Sequence, residues 1–238
     1  MKPTQADLPA LSDAMEHQTP QQILRWAWDT YGPKLTMATA FGAEGCAIIA
    51  MLSEITRDVY LFNLDTGYQF PETLDTRRRL MDKYGIPIHL VRAAQSVDDM
   101  EAEHGGALYR TNPDLCCHMR KVVPLESAVQ GYEAWVSAIR RDQAPTRRHA
   151  PLVGWDKKFA LVKVNPLANW TKRDVWDYIL QNDVPYNPLH DQGYPSIGCW
   201  PCTQAVGAGE DDRAGRWAGQ AKKECGLHVL NTMSTPTV

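Results

Sequence analysis

An α/β fold built around one sheet is predicted by three observations. Five short apolar runs alternate with segments of helical period: residues 35–40, 59–64, 86–91, 134–140 and the run ALVKVNPL. A length of 238 residues is enough for one sizeable core and marginal for two. The composition is that of an ordinary globular protein, and no apolar run approaches the roughly 18 residues of a membrane span.

The first helix starts at Thr19-Pro20-Gln21-Gln22, with Thr19 as N-cap, proline in the first turn and Gln22 closing a capping box. Ile23, Leu24, Ala27 and Tyr31 then share one face, and Gly32-Pro33 ends it. The strand LTMATA passes through the turn FGAEG, 41–45, into the apolar helix CAIIAMLSEI. A strand, a glycine turn and a helix N-terminus form a potential anion site, because the first N–H groups lack partners and the helix dipole points there. Many α/β turns carry such glycines for geometry alone. VYLFNL ends in Asp65-Thr66-Gly67, a polar turn at the carboxyl end of a strand, where open parallel sheets bind ligands. The plainer alternative is that Asp65 caps the turn.

Pro71-Glu72 opens a helix that runs to Gly85, with Leu74, Met81 and Tyr84 expected inside. In the strand IPIHLV, His89 alternates with apolar neighbours and is read as an ordinary sheet residue. Ser96 and Asp99 cap a short helix that Gly105-Gly106 stops. A helix near 120–130 precedes AWVSAIR, which runs directly into RRDQAPTRRH. That loop sets dense positive charge at the same sheet edge as Asp65 and the 41–45 turn. Arginine suits phosphate and sulfate because its planar fork donates two parallel hydrogen bonds. After the fifth strand, Thr171 with Asp174 caps a helix that buries Val175, Tyr178 and Ile179.

Net charge is −3, which gives no global attraction for nucleic acid or an anionic membrane. The basic residues are nevertheless grouped, as in Arg120-Lys121, Arg140-Arg141, Arg147-Arg148, Arg213 with Arg216, and Lys222-Lys223. Such groups fit a small anionic ligand better than a polymer, although some, such as Arg77-Arg78-Arg79, are solvated helix faces. The first 20 residues have neither a basic start nor an apolar centre, so no signal peptide is expected and the cytoplasm is the expected compartment.

Six cysteines in such a chain suggest metal or redox chemistry rather than structural disulfides. Cys116-Cys117 and Cys199-Trp200-Pro201-Cys202 form two pairs far apart in sequence. Adjacent cysteines diverge, to opposite faces in a strand and by about 100° in a helix, and aim poorly at a single ion. An iron–sulfur cube, which offers each thiolate its own iron, suits that divergence better. A zinc knuckle, a disulfide pair and plain buried cysteine stay open as alternatives. Cys46, inside an apolar helix, is read as core. Cys225 lies in Lys222-Lys223-Glu224-Cys225-Gly226-Leu227-His228, where two lysines and a histidine favour the thiolate; a lone surface cysteine is the alternative. The tail, 207–238, is rich in glycine and charge, poor in aliphatic residues, and expected to pack weakly and be mobile.

On the motifs CCHMRK, IRRDQAPTRR, NPLANWTKRDVWDYI, YNPLHDQGYPSIGCWPC and KKECGLH, the chain from about residue 30 to 230 resembles the assimilatory sulfonucleotide reductases, in their iron–sulfur type. The resemblance implies an adenine-nucleotide α-hydrolase-like fold, related to the PP-loop enzymes, with a five-stranded parallel sheet and helices on both faces. It implies a nucleotide-binding domain over 1–206 that includes the cluster segments, and a tail over 207–238 that carries the nucleophile. The implied reaction is attack of Cys225 on the sulfur of adenosine 5′-phosphosulfate, giving AMP and an S-sulfocysteine that thioredoxin or glutaredoxin releases as sulfite. A 4Fe-4S cluster on Cys116, Cys117, Cys199 and Cys202 is implied, with Lys121 between cluster and substrate. Thr39, Gly42, Asp65, Thr66, Gly67, Arg141, Arg213, Arg216 and His228 complete the expected substrate site. A homo-oligomer is expected by analogy.

By the same resemblance, the four-cysteine set implies a preference for adenosine phosphosulfate, with a reductase of the 3′-phosphorylated nucleotide or a dual-specificity enzyme as alternatives. One departure is the turn Thr39-Ala40-Phe41-Gly42-Ala43-Glu44-Gly45, where the family often has SFSGAED. The rivals are an ATP pyrophosphatase of tRNA-thiolation type, whose SGGxDS turn is absent, and a metal–cysteine redox sensor, which leaves the Cys225 tail without a purpose.

Overall fold

The computed structural model describes residues 2–207, 209–220, 222 and 224–227. Six strands, β1 (Leu35–Thr39), β2 (Tyr60–Asp65), β3 (Ile88–Arg92), β4 (Ala134–Val136), β5 (Val153–Asp156) and β6 (Leu161–Val164), form one sheet in the order β3-β2-β1-β4-β6-β5. Every pairing is parallel except β5 with β6. The five expected strands are therefore present, and β5 is an addition. Its four residues, VGWD, form no apolar run, and their pairing is set from outside. Helix α1 (Leu8–Ala14) packs on β5, and the Ser12 hydroxyl accepts the Leu152 N–H at 2.9 Å.

The remaining helices are α2 (Pro20–Tyr31), α3 (Ala43–Ser53), α4 (Pro71–Tyr84), α5 (Val97–Glu103), α6 (Leu108–Thr111), α7 (Pro113–Cys117), α8 (Val123–Ala128) and α9 (Lys172–Gln181). Strand alternation divides the core between the two faces of the sheet. Leu61, Ala134 and Val136 join α2, α3 and α9 in the larger cluster, whereas Phe62, Leu64 and Trp135 meet Leu125 of α8 in a smaller one. Helix α3 is apolar on every side because α2, α4 and α9 enclose it, and Cys46 through Leu52 are all buried.

The capping box of α2 forms as expected, with Thr19 N–H donating to Gln22 Oε1 at 2.8 Å and Gln22 N–H to Thr19 Oγ1 at 3.3 Å. Thr171 and Asp174 close the same motif at α9. In α4 the expected inner face needs correction: Leu74 is 42% exposed, while Thr73, Thr76 and Leu80 point inward. Those three lie at i, i+3 and i+7, and Leu74 is one step round the helix. Among the described residues no helix is long and apolar enough to cross a membrane.

The expectation of a weakly packed tail is not met over its described residues. Trp217 is 2% exposed, Thr203 and Arg216 form a β-bridge, and Leu227 packs against the smaller apolar cluster. The polar composition misleads here because a few large side chains and ion pairs tie the segment down.

Candidate active site

The order in which strands are added to the sheet reverses beside β1, which has β2 on one side and β4 on the other. At such a switch point the loops leaving the carboxyl ends of the strands diverge and open a crevice. A cavity of about 240 Å³ lies there. Its floor includes Thr39 of β1, Asn63 of β2, and Ser137 and Ala138 just past β4.

The turn after β1 is shaped by Thr39. Its Oγ1 accepts the Phe41 N–H at 3.1 Å, and its carbonyl accepts Asn63 Nδ2 at 2.7 Å. Phe41 takes a positive φ of 57° and is fully buried, so it anchors the turn from below. Gly42 is the N-cap of α3 and provides no side-chain cap, so the first N–H groups of α3 keep their capacity for an anion at the cavity. Gly45 lets α3 approach β1 closely: a methyl group there would stand 2.7 Å from Thr39 Oγ1.

Positive charge enters from three segments, as Lys121, Arg140 and Arg147, and Arg213 with Arg216. Arg140 is 3% exposed and ion-paired to Glu44 at 3.2 Å and Asp142 at 3.3 Å, while its Nη1 has no hydrogen-bond partner. Arg147 donates to Gln143 Oε1 at 2.6 Å, and Gln143 Nε2 donates to Glu44 at 3.0 Å. Arg216 stacks 4.5 Å from the Trp217 ring and hydrogen-bonds Ser196 at 3.3 Å. Gly198 makes room for it, since a methyl group at that position would collide with its guanidinium.

Cys225 lines this cavity, brought there by Glu224, Gly226 and Leu227 on either side of it. Cys116, Cys117, Cys199 and Cys202 line a second, adjoining pocket, and all are free thiols. Cys116 and Cys117 sit at the end of α7, where the chain widens into a single π turn over His118–Val122. Burial, then repulsion from Cys117, Cys199 and Cys202, pushes the Cys116 thiol up to about 12. Burial and then Cys199 push Cys202 up to about 11. A set of thiols this unfavourable to ionise together is relieved by a cation among them. Among the described residues no three ligand side chains converge on one ion position. Four thiols around one pocket are the donor set that an iron–sulfur cube takes, one thiolate to each iron.

Lys121 borders both pockets. Burial works against its charge, and the charges of Cys199, Cys225 and Cys117 as thiolates outweigh that and raise its pKa. Thr66 also links the two pockets, lining the cavity with Oγ1 3.3 Å from Cys199 Sγ. Buried Arg120 ties the cysteine segment to the turn after β2 by donating to the Thr66 carbonyl at 2.9 Å.

Of the expected substrate residues, Thr39, Gly42, Thr66, Lys121, Arg213 and Arg216 border the cavity. Three others, Arg141, Asp65 and Gly67, lie elsewhere, and a fourth is outside the described residues. Arg141 turns away: its guanidinium binds Glu16 at 2.8 and 2.5 Å and the Ala150 carbonyl at 2.9 Å. Asp65 serves the turn, accepting Gly67 N–H at 3.1 Å and pairing with Arg92 at 2.8 Å, and neither it nor Gly67 borders the cavity. His228 lies outside the described residues. Arg140 and Arg147, which the sequence marks only as members of basic pairs, are the arginines of the loop that border the cavity.

A crevice of this kind defines an α/β protein that takes an anionic ligand beside a thiol. Residues 34–205 match the phosphoadenosine phosphosulfate reductase domain. The chain is 46% identical over 207 residues to an adenosine 5′-phosphosulfate reductase of Bacillus pumilus, covering 87% of this chain and 89% of that one. It is 42% identical over 225 residues to the enzyme of the same name in Geobacillus kaustophilus, covering 94% and 96%. The chain therefore belongs to the phosphoadenosine phosphosulfate reductase family. A crystal structure of phosphoadenylyl-sulfate reductase from Candida auris, a phosphate complex, superposes with a TM-score of 0.75 at 34% identity, covering 87% of this chain and 99% of that one. An FMN adenylyltransferase from Candida glabrata, at 14% identity and TM-score 0.56, shares the fold alone.

Proposed function

We propose that the protein reduces adenosine 5′-phosphosulfate to sulfite and AMP in sulfate assimilation, with Cys225 as nucleophile. The observation that carries the reading is the meeting of Cys225 with Lys121, Arg147, Arg213 and Arg216 in one crevice. The names of the relatives, adenosine 5′-phosphosulfate reductases, support the choice of nucleotide.

In the first step the Cys225 thiolate forms an S–S bond to the sulfate sulfur as the bridging S–O bond breaks, and the electron pair leaves on the AMP phosphate. Thiolate and sulfate repel each other, and the cations offset that repulsion and the charge growing on the leaving phosphate. In the second step one thiol of a dithiol protein, thioredoxin or glutaredoxin, attacks Cys225 Sγ and expels sulfite. The partner's second thiol resolves the mixed disulfide, returning Cys225 reduced and the partner oxidised. The dithiol supplies both electrons.

Cys116, Cys117, Cys199 and Cys202 would hold a 4Fe-4S cluster, which would neutralise the four thiolates, two of them buried, and set the local field. The residues of this chain do the rest: Thr39 and the α3 N-terminus receive the anion, and Lys121 keeps a positive charge at the wall between the pockets.

Anaerobic protein mixed with adenosine 5′-phosphosulfate without dithiol, then weighed intact, should gain one SO₃ group on Cys225. The 3′-phosphorylated nucleotide run in parallel should react more slowly. Cys225→Ser should gain nothing and keep its iron chromophore. Iron-loaded wild-type protein that gained no mass from either nucleotide would sink the thiolate mechanism, and ATP pyrophosphatase chemistry would become the leading reading.

A further inference from the structure

The residue before the nucleophile makes more charged contacts than any substrate scheme requires. Glu224 Oε1 accepts from Arg147 Nε at 3.2 Å and Nη2 at 3.0 Å, and Oε2 accepts from Arg147 Nη2 at 3.0 Å and Arg213 Nη2 at 3.1 Å. These arginines come from separate segments: Arg147 from the loop after β4 and Arg213 from the stretch after the CxxC pair. Arg147 is 7% exposed and itself held through Gln143 to Glu44 in the first turn of α3. A continuous line of contacts therefore runs from the anion-binding turn to the residue beside Cys225.

On the other side of Cys225 the chain is held differently. The Gly226 carbonyl accepts Lys158 Nζ at 2.7 Å, and Leu227 packs among the residues of the smaller apolar cluster. Gly226 itself has a φ of 80°, a backbone shape that glycine adopts without strain. Cys225 is thus fixed by a charged anchor before it and an apolar anchor after it.

We propose that Glu224 is the positioning residue of the nucleophile: by bridging Arg147 and Arg213 it holds Cys225 Sγ in the cavity at the point of attack. The proposal rests on Cys225 being the nucleophile. Its chemistry is specific to a carboxylate, because a planar group with two acceptors can bind both guanidinium ions at once. Glutamine offers one acceptor in place of two and carries no charge. Aspartate keeps the charge and both oxygens but falls one methylene short.

The test uses the iron-loaded full chain and two independent readouts. In single-turnover reaction with saturating adenosine 5′-phosphosulfate, Glu224→Gln should form S-sulfocysteine about tenfold or more slowly than wild type, as misplacement of a reacting atom does. The nucleotide concentration for half-maximal rate should change much less, and Glu224→Asp should recover part of the rate. Without nucleotide, alkylation of Cys225 by a bulky maleimide, mapped on its peptide, should be faster in Glu224→Gln than in wild type. Thermal midpoints within a few degrees of wild type would show that both variants fold. An unchanged saturating rate together with unchanged alkylation overturns the positioning role while leaving the nucleophile intact. A Glu224→Gln enzyme that binds nucleotide more tightly and reacts no more slowly also overturns it, making the carboxylate a competitor for the arginines. Wild-type protein that gains no SO₃ group overturns the nucleophile assignment, and Glu224 falls with it.

Discussion

Two neighbouring arginines show how much a single position decides. Arg140 faces the cavity with an unpartnered Nη1, whereas Arg141 faces out onto Glu16. Arg140→Met should raise the KM for nucleotide by about tenfold, the usual loss for one charge-assisted hydrogen bond. Arg141→Met should leave KM nearly unchanged and cost about 1 kcal/mol or less of stability, as a half-exposed ion pair does. Steady-state kinetics of the two variants separates them. The loop motif was legible in the sequence, but the choice between its arginines was not: Arg140 is extended while Arg141 opens a short 3-10 turn, so the two side chains diverge, and only packing says which one meets the cavity. His190 gives a pH prediction. Burial holds its pKa below the ordinary 6.5, Glu44 and Asp191 oppose that, and Lys172 adds to it. As pH falls below about 6.5 the unfolded chain takes up a proton that the folded chain refuses, so stability declines until the lower folded value is reached. Urea midpoints at pH 7.5 and 5.5 should therefore differ less in His190→Gln than in wild type.

At the scale of elements, α3 does two jobs, closing the core along its length and facing the anion site at its start. Ile49 is fully buried, so Ile49→Ala should cost about 2–5 kcal/mol in denaturant unfolding. Gly45→Ala tests the other end: its methyl would press on Thr39 Oγ1, and nucleotide binding should weaken with little change in the chromophore. Helix α3 was legible because an unbroken apolar run has few other places to go. β5 was not, because its pairing comes from β6 and the Ser12 hydroxyl rather than from any pattern in VGWD. Leu74 was misplaced for a related reason, since two threonines, Thr73 and Thr76, take the inward positions that an apolar rule assigns to leucine.

For the whole molecule, the cysteine pairs join segments more than 80 residues apart, since Cys117 and Cys199 border one pocket. On the proposal that these cysteines hold an iron–sulfur cluster, Cys199→Ser should lose iron by colorimetric assay and lower the thermal midpoint by several degrees or more, because a group that binds only the folded chain stabilises it. The pairing of the two segments was legible from the spacing of the thiols, and the path of the tail was not, because its hold depends on Trp217, Leu227 and Glu224 meeting partners that sequence cannot align. The order of parts along the chain has a further effect. Every described strand is complete by Val164 and the last CxxC thiol is Cys202, yet the proposed nucleophile comes only at Cys225. All of the sheet's sequence is thus synthesised before Cys225 is added, so this last thiol joins a chain that already carries every described strand.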